Sequence, residues 1–192
     1  MQLYLFSVAV LSSVTCGRKN PLWFGLAARL KSARKQAGLS HHRLGVLAGG
    51  RGVPAAVENS EQIPGIDTVE KLANALGVPA CWLAFGNDGE EPFRKKIRRH
   101  GLTPDSPEPQ LAERPPTADH ADIGSRLSEA RAAAGLSMRE LGRRAELSVQ
   151  AISLMESGRA FPRVDSCEAL ATALAVAPCW LAYGVGQGPA SD

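Results

Sequence analysis

Residues 136–158 read LSMRELGRRAELSVQAISLMESG, and the fold follows from how this stretch is parsed. Ser137 stands where a helix N-cap belongs, and Glu140 follows three residues on, at capping-box spacing. The pattern predicts a helix from Met138 to Ala145 with Leu141 and Ala145 on one face. Glu146-Leu147 interrupts it, and Ser148 offers a second N-cap. A second helix over 149–157 turns Ile152 and Met155 inward and closes at Gly158, a residue suited to a C-cap. Two short helices joined by a three- or four-residue turn make a helix-turn-helix, whose second helix can enter the major groove of DNA.

Much of this stretch occurs twice. Arg29-Leu30, Ala33-Arg34, Gly38-Leu39-Ser40, Leu44-Gly45 and Ala48 recur 97 residues later as Arg126-Leu127, Ala130-Arg131, Gly135-Leu136-Ser137, Leu141-Gly142 and Ala145. The offset then becomes 98: Glu58, Pro64, Asp67, Glu70 and Cys81-Trp82-Leu83-Ala84 match Glu156, Pro162, Asp165, Glu168 and Cys179-Trp180-Leu181-Ala182. One residue is therefore missing from the first copy, near Gly49-Gly50. A repeat of this length means two copies of one small domain. Each is expected to hold five short helices. In the second copy the first runs over 123–134, with Leu127 and Ala130 inward. Asp165 and Glu168 have capping-box spacing ahead of a fourth helix, as do Asp67 and Glu70 in the first copy. Pro178 opens a fifth, whose Trp180 and Leu181 should close the core.

The expected organisation is an apolar segment over 1–20, a first domain over 21–86, a connecting stretch over 87–122, a second domain over 123–185 and a tail over 186–192. Net charge is only +3 over 192 residues, so composition alone does not announce a nucleic-acid binder. Residues 24–86 carry seven Lys or Arg against four acids, and residues 123–184 seven against six. The connecting stretch holds prolines 92, 104, 107, 109, 115 and 116 and no periodicity beyond His100, so 101–120 reads as a flexible linker. Within it, Phe93 to His100 is a basic run, either a DNA-tracking arm or the solvated tail of the first domain. Residues 1–15 are apolar but too short to span a bilayer as a mature helix. They lack the positive start of a signal peptide, so export is disfavoured. An upstream start codon or an arm packed on the first domain explains them equally well. Cys16, Cys81, Cys167 and Cys179 form no Cys-x-x-Cys, and no His lies at zinc-ligand spacing from them. The expectation is free buried thiols, no metal and a reduced, cytoplasmic protein.

Both copies resemble the phage-repressor (XRE/Cro-type) helix-turn-helix family, through Arg131, Gly135-Leu-Ser137, Glu140-Leu141, Ala145, Ser148, Ile152, Glu156, Gly158, Pro162, Leu170, Leu174 and Trp180-Leu181. The resemblance covers roughly 60 residues per copy. It implies an all-α chain of two lambda-repressor-like five-helix domains joined by a Pro-rich linker. It also implies sequence-specific binding of double-stranded DNA, as a homodimer or as a pseudo-dimer of the two copies. It puts Ser148, Val149, Gln150, Ser153 and Leu154 on the groove face of the recognition helix. Chemistry supports part of this: Gln can pair with adenine N6 and N7, and Val149 can meet a thymine methyl. Arg159 and Arg163 follow in a loop where the family often contacts the backbone, and Arg139 with either Arg143 or Arg144 are further phosphate candidates. For each arginine alone, a merely solvated charge is the competing reading. Arg131 with Glu156, and Arg34 with Glu58, are implied as buried structural pairs.

The first copy departs at its helix-turn-helix. Arg43 replaces the capping-box Glu, and Pro54 stands where the second copy has Ile152. Proline belongs in a first helical turn, so this helix should start no earlier than Val53 and run about a turn and a half. Gly49, Gly50 and Gly52 weaken its beginning further. Arg43 and Arg51 remain candidates for phosphate contact, and His41-His42 should face solvent. Two functions are compatible with these features. One is a transcriptional regulator in which the second copy reads bases and the first assists. The other is a protein-interaction module, a co-regulator or anti-repressor, on the same scaffold. No nucleophile–His–acid set, phosphate-cradling glycine loop or metal cluster points to an enzyme or a cofactor.

Overall fold

The computed structural model describes residues 21–86, 122–186 and 188–189. The expectations for residues 1–20, the basic run at 93–100 and the linker at 101–120 lie outside them. The described chain is helical. The first copy contains α1 (Pro21–Phe24), α2 (Leu26–Gln36), α3 (His41–Leu47), α4 (Val53–Glu58), α5 (Ile66–Leu76) and α6 (Ala80–Phe85). The second contains α7 (Ile123–Ala133), α8 (Met138–Ala145), α9 (Val149–Glu156), α10 (Val164–Leu174) and α11 (Pro178–Tyr183). The first copy thus has the five expected helices, with the short α1 ahead of them.

Local sequence accounts for most boundaries. The Ser137 hydroxyl accepts a hydrogen bond from Glu140 N at 3.1 Å, and Ser148 one from Ala151 N at 3.1 Å. Each thereby satisfies one of the backbone donors that a helix start leaves open. Only half of the expected capping box forms at α8, because the Glu140 carboxylate turns outward to Arg143 and Arg144. The box expected from Asp165 and Glu168 is absent. Helix α10 starts at Val164 with Arg163 at its N-cap, so Asp165 already lies in the first turn and Glu168 is buried. Likewise α5 starts at Ile66, ahead of Asp67, and Glu70 is buried.

Inward residues at helical spacing build each core: Leu127, Leu141, Ile152 and Leu170 in the second copy, Leu30, Leu44, Val57 and Leu72 in the first. Leu181 closes the second core as expected. Trp180 lies only partly buried at its edge, and the aromatic that fills the interior is Tyr183, 1% exposed, with Phe85 as its counterpart. Gly142 shows why α8 can sit so close to the turn. A Cβ there would stand 2.6 Å from Leu147 O.

The two copies touch each other directly. Ile66 N donates to Pro162 O at 3.1 Å, and Val164 N donates to Pro64 O at 3.1 Å. This reciprocal pair is an isolated antiparallel bridge between Gly65 and Arg163. Each bond satisfies the first open donor of one helix, α5 or α10, with a proline carbonyl from the other copy. Helix α6 packs on α11. Cys81 and Cys179 are joined there by a disulfide, with their Cα atoms 5.4 Å apart. The expectation of free thiols at these two positions is therefore wrong, while Cys167 is free and buried as expected. The spacing of the copies is also set by direct contact and not by linker length alone. Among the described residues no helix is long and apolar enough to cross a membrane.

Candidate nucleic-acid interface

Helix α9 is anchored by its buried side. Ile152 and Met155 point into the core, whereas Ser148, Val149, Gln150, Ser153 and Leu154 are exposed. Val149 and Leu154 are large apolar side chains facing solvent. Ser148 uses its hydroxyl oxygen as the helix cap, which leaves its O–H as the group free to donate outward. All five residues named from sequence for groove reading are exposed.

The arginines differ in their surroundings. Arg139 and Arg159 are exposed and make no ion pair among the described residues. Arg143 donates to Glu140 at 2.6 Å, and Arg144 donates to the same carboxylate at 3.3 Å. The hydrogen bond from Arg143 holds the Glu140 carboxyl below its usual range. These pairs are exposed, so each contributes little to stability. Arg163 donates to Asp165 at 2.6 Å, and its backbone belongs to the bridge between the copies. It thus lies where the two copies meet.

Behind this surface a repeated fork joins α7 to the end of α9, and α2 to the end of α4. Arg131 donates to both oxygens of Glu156 at 2.6 and 3.0 Å and to Leu136 O at 3.1 Å. Arg34 does the same to Glu58 at 2.6 and 2.9 Å and to Leu39 O at 2.9 Å. Both pairs form as expected. Burial alone would raise the Glu58 carboxyl, but hydrogen bonds from Arg34 and His41 outweigh it and hold the group below its usual value. His41 is therefore exposed yet bonded to Glu58, at 2.9 Å.

Sequence reasoning missed a second pair of structural arginines. Arg29 donates to Leu83 O at 3.0 Å and Ala84 O at 2.7 Å, and Arg126 to Leu181 O at 3.0 Å and Ala182 O at 2.9 Å. Each satisfies the last carbonyls of the terminal helix of its copy. Their only signal was the repeated Arg-Leu, which looks like any helix surface charge.

The first copy presents a different face. Helix α4 begins at Val53 with Gly52 at its N-cap and no side-chain cap, and Pro54 is buried in its first turn. It has 6 residues against 8 in α9. Arg43 and Arg51 are exposed, and neither pairs among the described residues. At the repeat positions of Arg143 and Arg144 stand Val46 and Leu47, exposed at 42% and 46%. Among the described residues no cluster of three or more His, Cys, Asp or Glu could hold a metal ion.

The second copy thus presents a surface helix capped by serine, backed by a part-buried Arg–Glu fork and accompanied by exposed arginines. A family described as a helix-turn-helix domain matches residues 122–182, and one described as helix-turn-helix matches residues 30–83. The chain carries two tandem helix-turn-helix domains of the phage-repressor (XRE/Cro) type and is a DNA-binding transcription regulator. No curated protein matches it. Among solved structures it is similar to the restriction-modification controller protein C.AhdI from Aeromonas hydrophila, at 34% identity over 33% of this chain and 97% of that one, TM-score 0.32. It is also similar to the P22 c2 repressor in complex with a synthetic operator, at 29% identity over 32% of this chain and 94% of that one, TM-score 0.32. A third is the N-terminal DNA-binding domain of SinR from Bacillus subtilis, at 27% identity over 32% of this chain and 91% of that one, TM-score 0.32.

Proposed function

We propose that the chain is a sequence-specific regulator in which the second copy reads bases and the first copy supports it on the same duplex. The observation that carries this reading is the asymmetry of the two recognition surfaces. Gln150 stands on an open, capped helix with two unpaired arginines nearby. Its counterpart region in the first copy is glycine, proline and a helix of 6 residues. In this reading Gln150 pairs with adenine, Val149 meets a thymine methyl, and Ser153 and Leu154 complete the contact. Arg139, Arg143 and Arg159 hold phosphates, and Arg43 and Arg51 add backbone contacts from the first copy. Arg163, at the contact between copies, holds a phosphate near the middle of the site. The two copies act as a pseudo-dimer, which needs no second chain. The protein works on the nucleoid, in the cytoplasm, with neither cofactor nor catalytic role.

Selection of bound sequences from random duplexes, at two salt concentrations, tests this. The expected result is one asymmetric motif whose enrichment collapses in Gln150→Ala, and affinity that falls steeply with salt. An Arg51→Ala variant should lower affinity across all sequences without changing the motif. Equal changes of motif in both variants would refute the division of labour.

A second reading has its own support. Val46 and Leu47 put apolar surface where the second copy has arginines, and the residues that follow them, Ala48 to Gly50, line a hollow of about 110 Å³ with Val53, Thr68, Lys71 and Leu72. This favours a protein-binding role for the first copy. No recovered DNA motif, together with binding of a protein partner that Leu47→Arg abolishes, would support it over the first.

A further inference from the structure

We propose that the Cys81–Cys179 disulfide is a reducible interlock that holds the first copy in register beside the DNA site read by the second, so that a dithiol reductant releases the first copy from the duplex. This rests on the DNA-binding reading above.

The argument begins with position. Cys81 and Cys179 are the same residue of the repeat, 98 positions apart. In a pair of copies related by a two-fold axis, a residue meets its own equivalent only on that axis. The reciprocal bonds of Ile66 to Pro162 and Val164 to Pro64 obey the same two-fold relation. The disulfide therefore sits at the centre of the contact, between α6 and α11. The other restraints are noncovalent. They include the backbone bridge and a hydrogen bond from Tyr183 Oη to Ile66 O at 3.1 Å. Its counterpart in the first copy is Phe85, which has no hydroxyl to donate. Arg29 is electrostatically coupled to Glu168 across the contact. The disulfide is the one covalent restraint among the described residues besides the chain itself.

Access and chemistry follow. Cys81 is partly exposed, whereas Cys179 is buried at 3% exposure. A dithiol therefore attacks the sulfur of Cys81. A mixed disulfide forms there, and Cys179 leaves as a thiolate that takes up a proton. The reductant's second thiol then attacks its own mixed sulfur and releases Cys81 as a thiol. Two electrons and two protons pass to the protein, and the reductant leaves as a cyclic disulfide. A protein that binds the chromosome works among thiol reductants, where disulfides are usually transient or redox-sensing. Cys167 takes no part, since burial pushes its thiol up to about 12.

Once the bond opens, the first copy is held only by noncovalent contacts and the connecting stretch, and its contribution to binding falls. The test compares two duplexes, a long one spanning the whole selected site and a short one holding only the Gln150-dependent segment. Affinities are measured for the full chain in a Cys16→Ser background, air-oxidised, then treated with dithiothreitol, and as the Cys81→Ser/Cys179→Ser variant. Oxidised protein should prefer the long duplex by about tenfold or more. Reduced protein and the double variant should lose most of that preference while keeping their affinity for the short duplex. Cys81→Ala/Cys179→Ala repeats the comparison should the serines perturb folding. The same preference in all forms, or free thiols at Cys81 and Cys179 in the oxidised chain by mass spectrometry, would overturn the interlock and leave the DNA reading intact. Binding of neither duplex by any form would overturn both.

Discussion

Ala175 holds a left-handed backbone, φ 55°, at the C-cap of α10, where the first copy has Gly77 at φ 67°. A residue with a Cβ is strained there by about 1–2 kcal/mol, and glycine is not. Ala175→Gly should therefore raise stability by roughly 0.5–1 kcal/mol once the greater freedom of the unfolded chain is subtracted. The check is a urea midpoint that moves up with unchanged slope. A lower midpoint would mean that the Ala175 methyl packs more favourably than its backbone is strained. The same scale separates structural from functional arginines. Arg131 and Arg34 are committed to buried carboxylates, and Arg126 and Arg29 to helix carbonyls. Among the described residues the outward group is Arg139, Arg159, Arg43 and Arg51, with Arg143, Arg144 and Arg163 in exposed pairs with carboxylates, and these are the guanidinium groups proposed above for phosphate contact.

At the scale of elements, the helix-turn-helix depends on how closely α8 meets the turn that leads to α9. The Gly142 position leaves 2.6 Å between a would-be Cβ and Leu147 O. Gly142→Ala must move the turn, at a cost of about 1–3 kcal/mol. Because the turn sets the angle of α9, affinity for DNA should fall with stability. Thermal melting followed by circular dichroism, beside a binding titration, reads both. An unchanged melting temperature would show that the turn yields freely. The boundaries of α8 and α9 were legible from Ser137, Ser148 and Gly158, because N-caps and C-caps are local. The partners of Glu140, Asp165 and Glu168 were not. Glu140 has arginines at i+3 and i+4 that compete for its carboxylate, and α10 begins two residues earlier than Glu168's box would require, at a donor already satisfied by Pro64.

For the whole molecule, Tyr183 links the two copies. Burial raises its phenol well above the ordinary value. The sign is that of an acid kept neutral by the fold: its contribution is fully present below the unfolded value near pH 10 and is lost as pH climbs from there toward the folded one. Stability should decline above about pH 10, and Tyr183→Phe should flatten that decline while costing about 1 kcal/mol at neutral pH for the lost hydrogen bond. The other tyrosine is Tyr4, so a Tyr4→Phe chain isolates the Tyr183 titration by ultraviolet absorbance. A normal titration would show that the ring is not enclosed.

The sequence by itself determined that there are two copies of one helical domain, which helix of each follows the turn of the helix-turn-helix, and that in the first copy this helix is shortened by Pro54 and its glycines. These follow from periodicity, caps and breakers, which act within a few residues. It also marked Cys81 and Cys179 as equivalent, through the repeated Cys-Trp-Leu-Ala. What it lacked was the knowledge that α6 and α11 face each other across a pseudo-two-fold axis. That relation joins residues about a hundred positions apart, and it arises from how two finished surfaces fit. Only the tertiary structure turned two thiols into a bond, Tyr183 into a bridge, and two copies on a linker into a pair in direct contact.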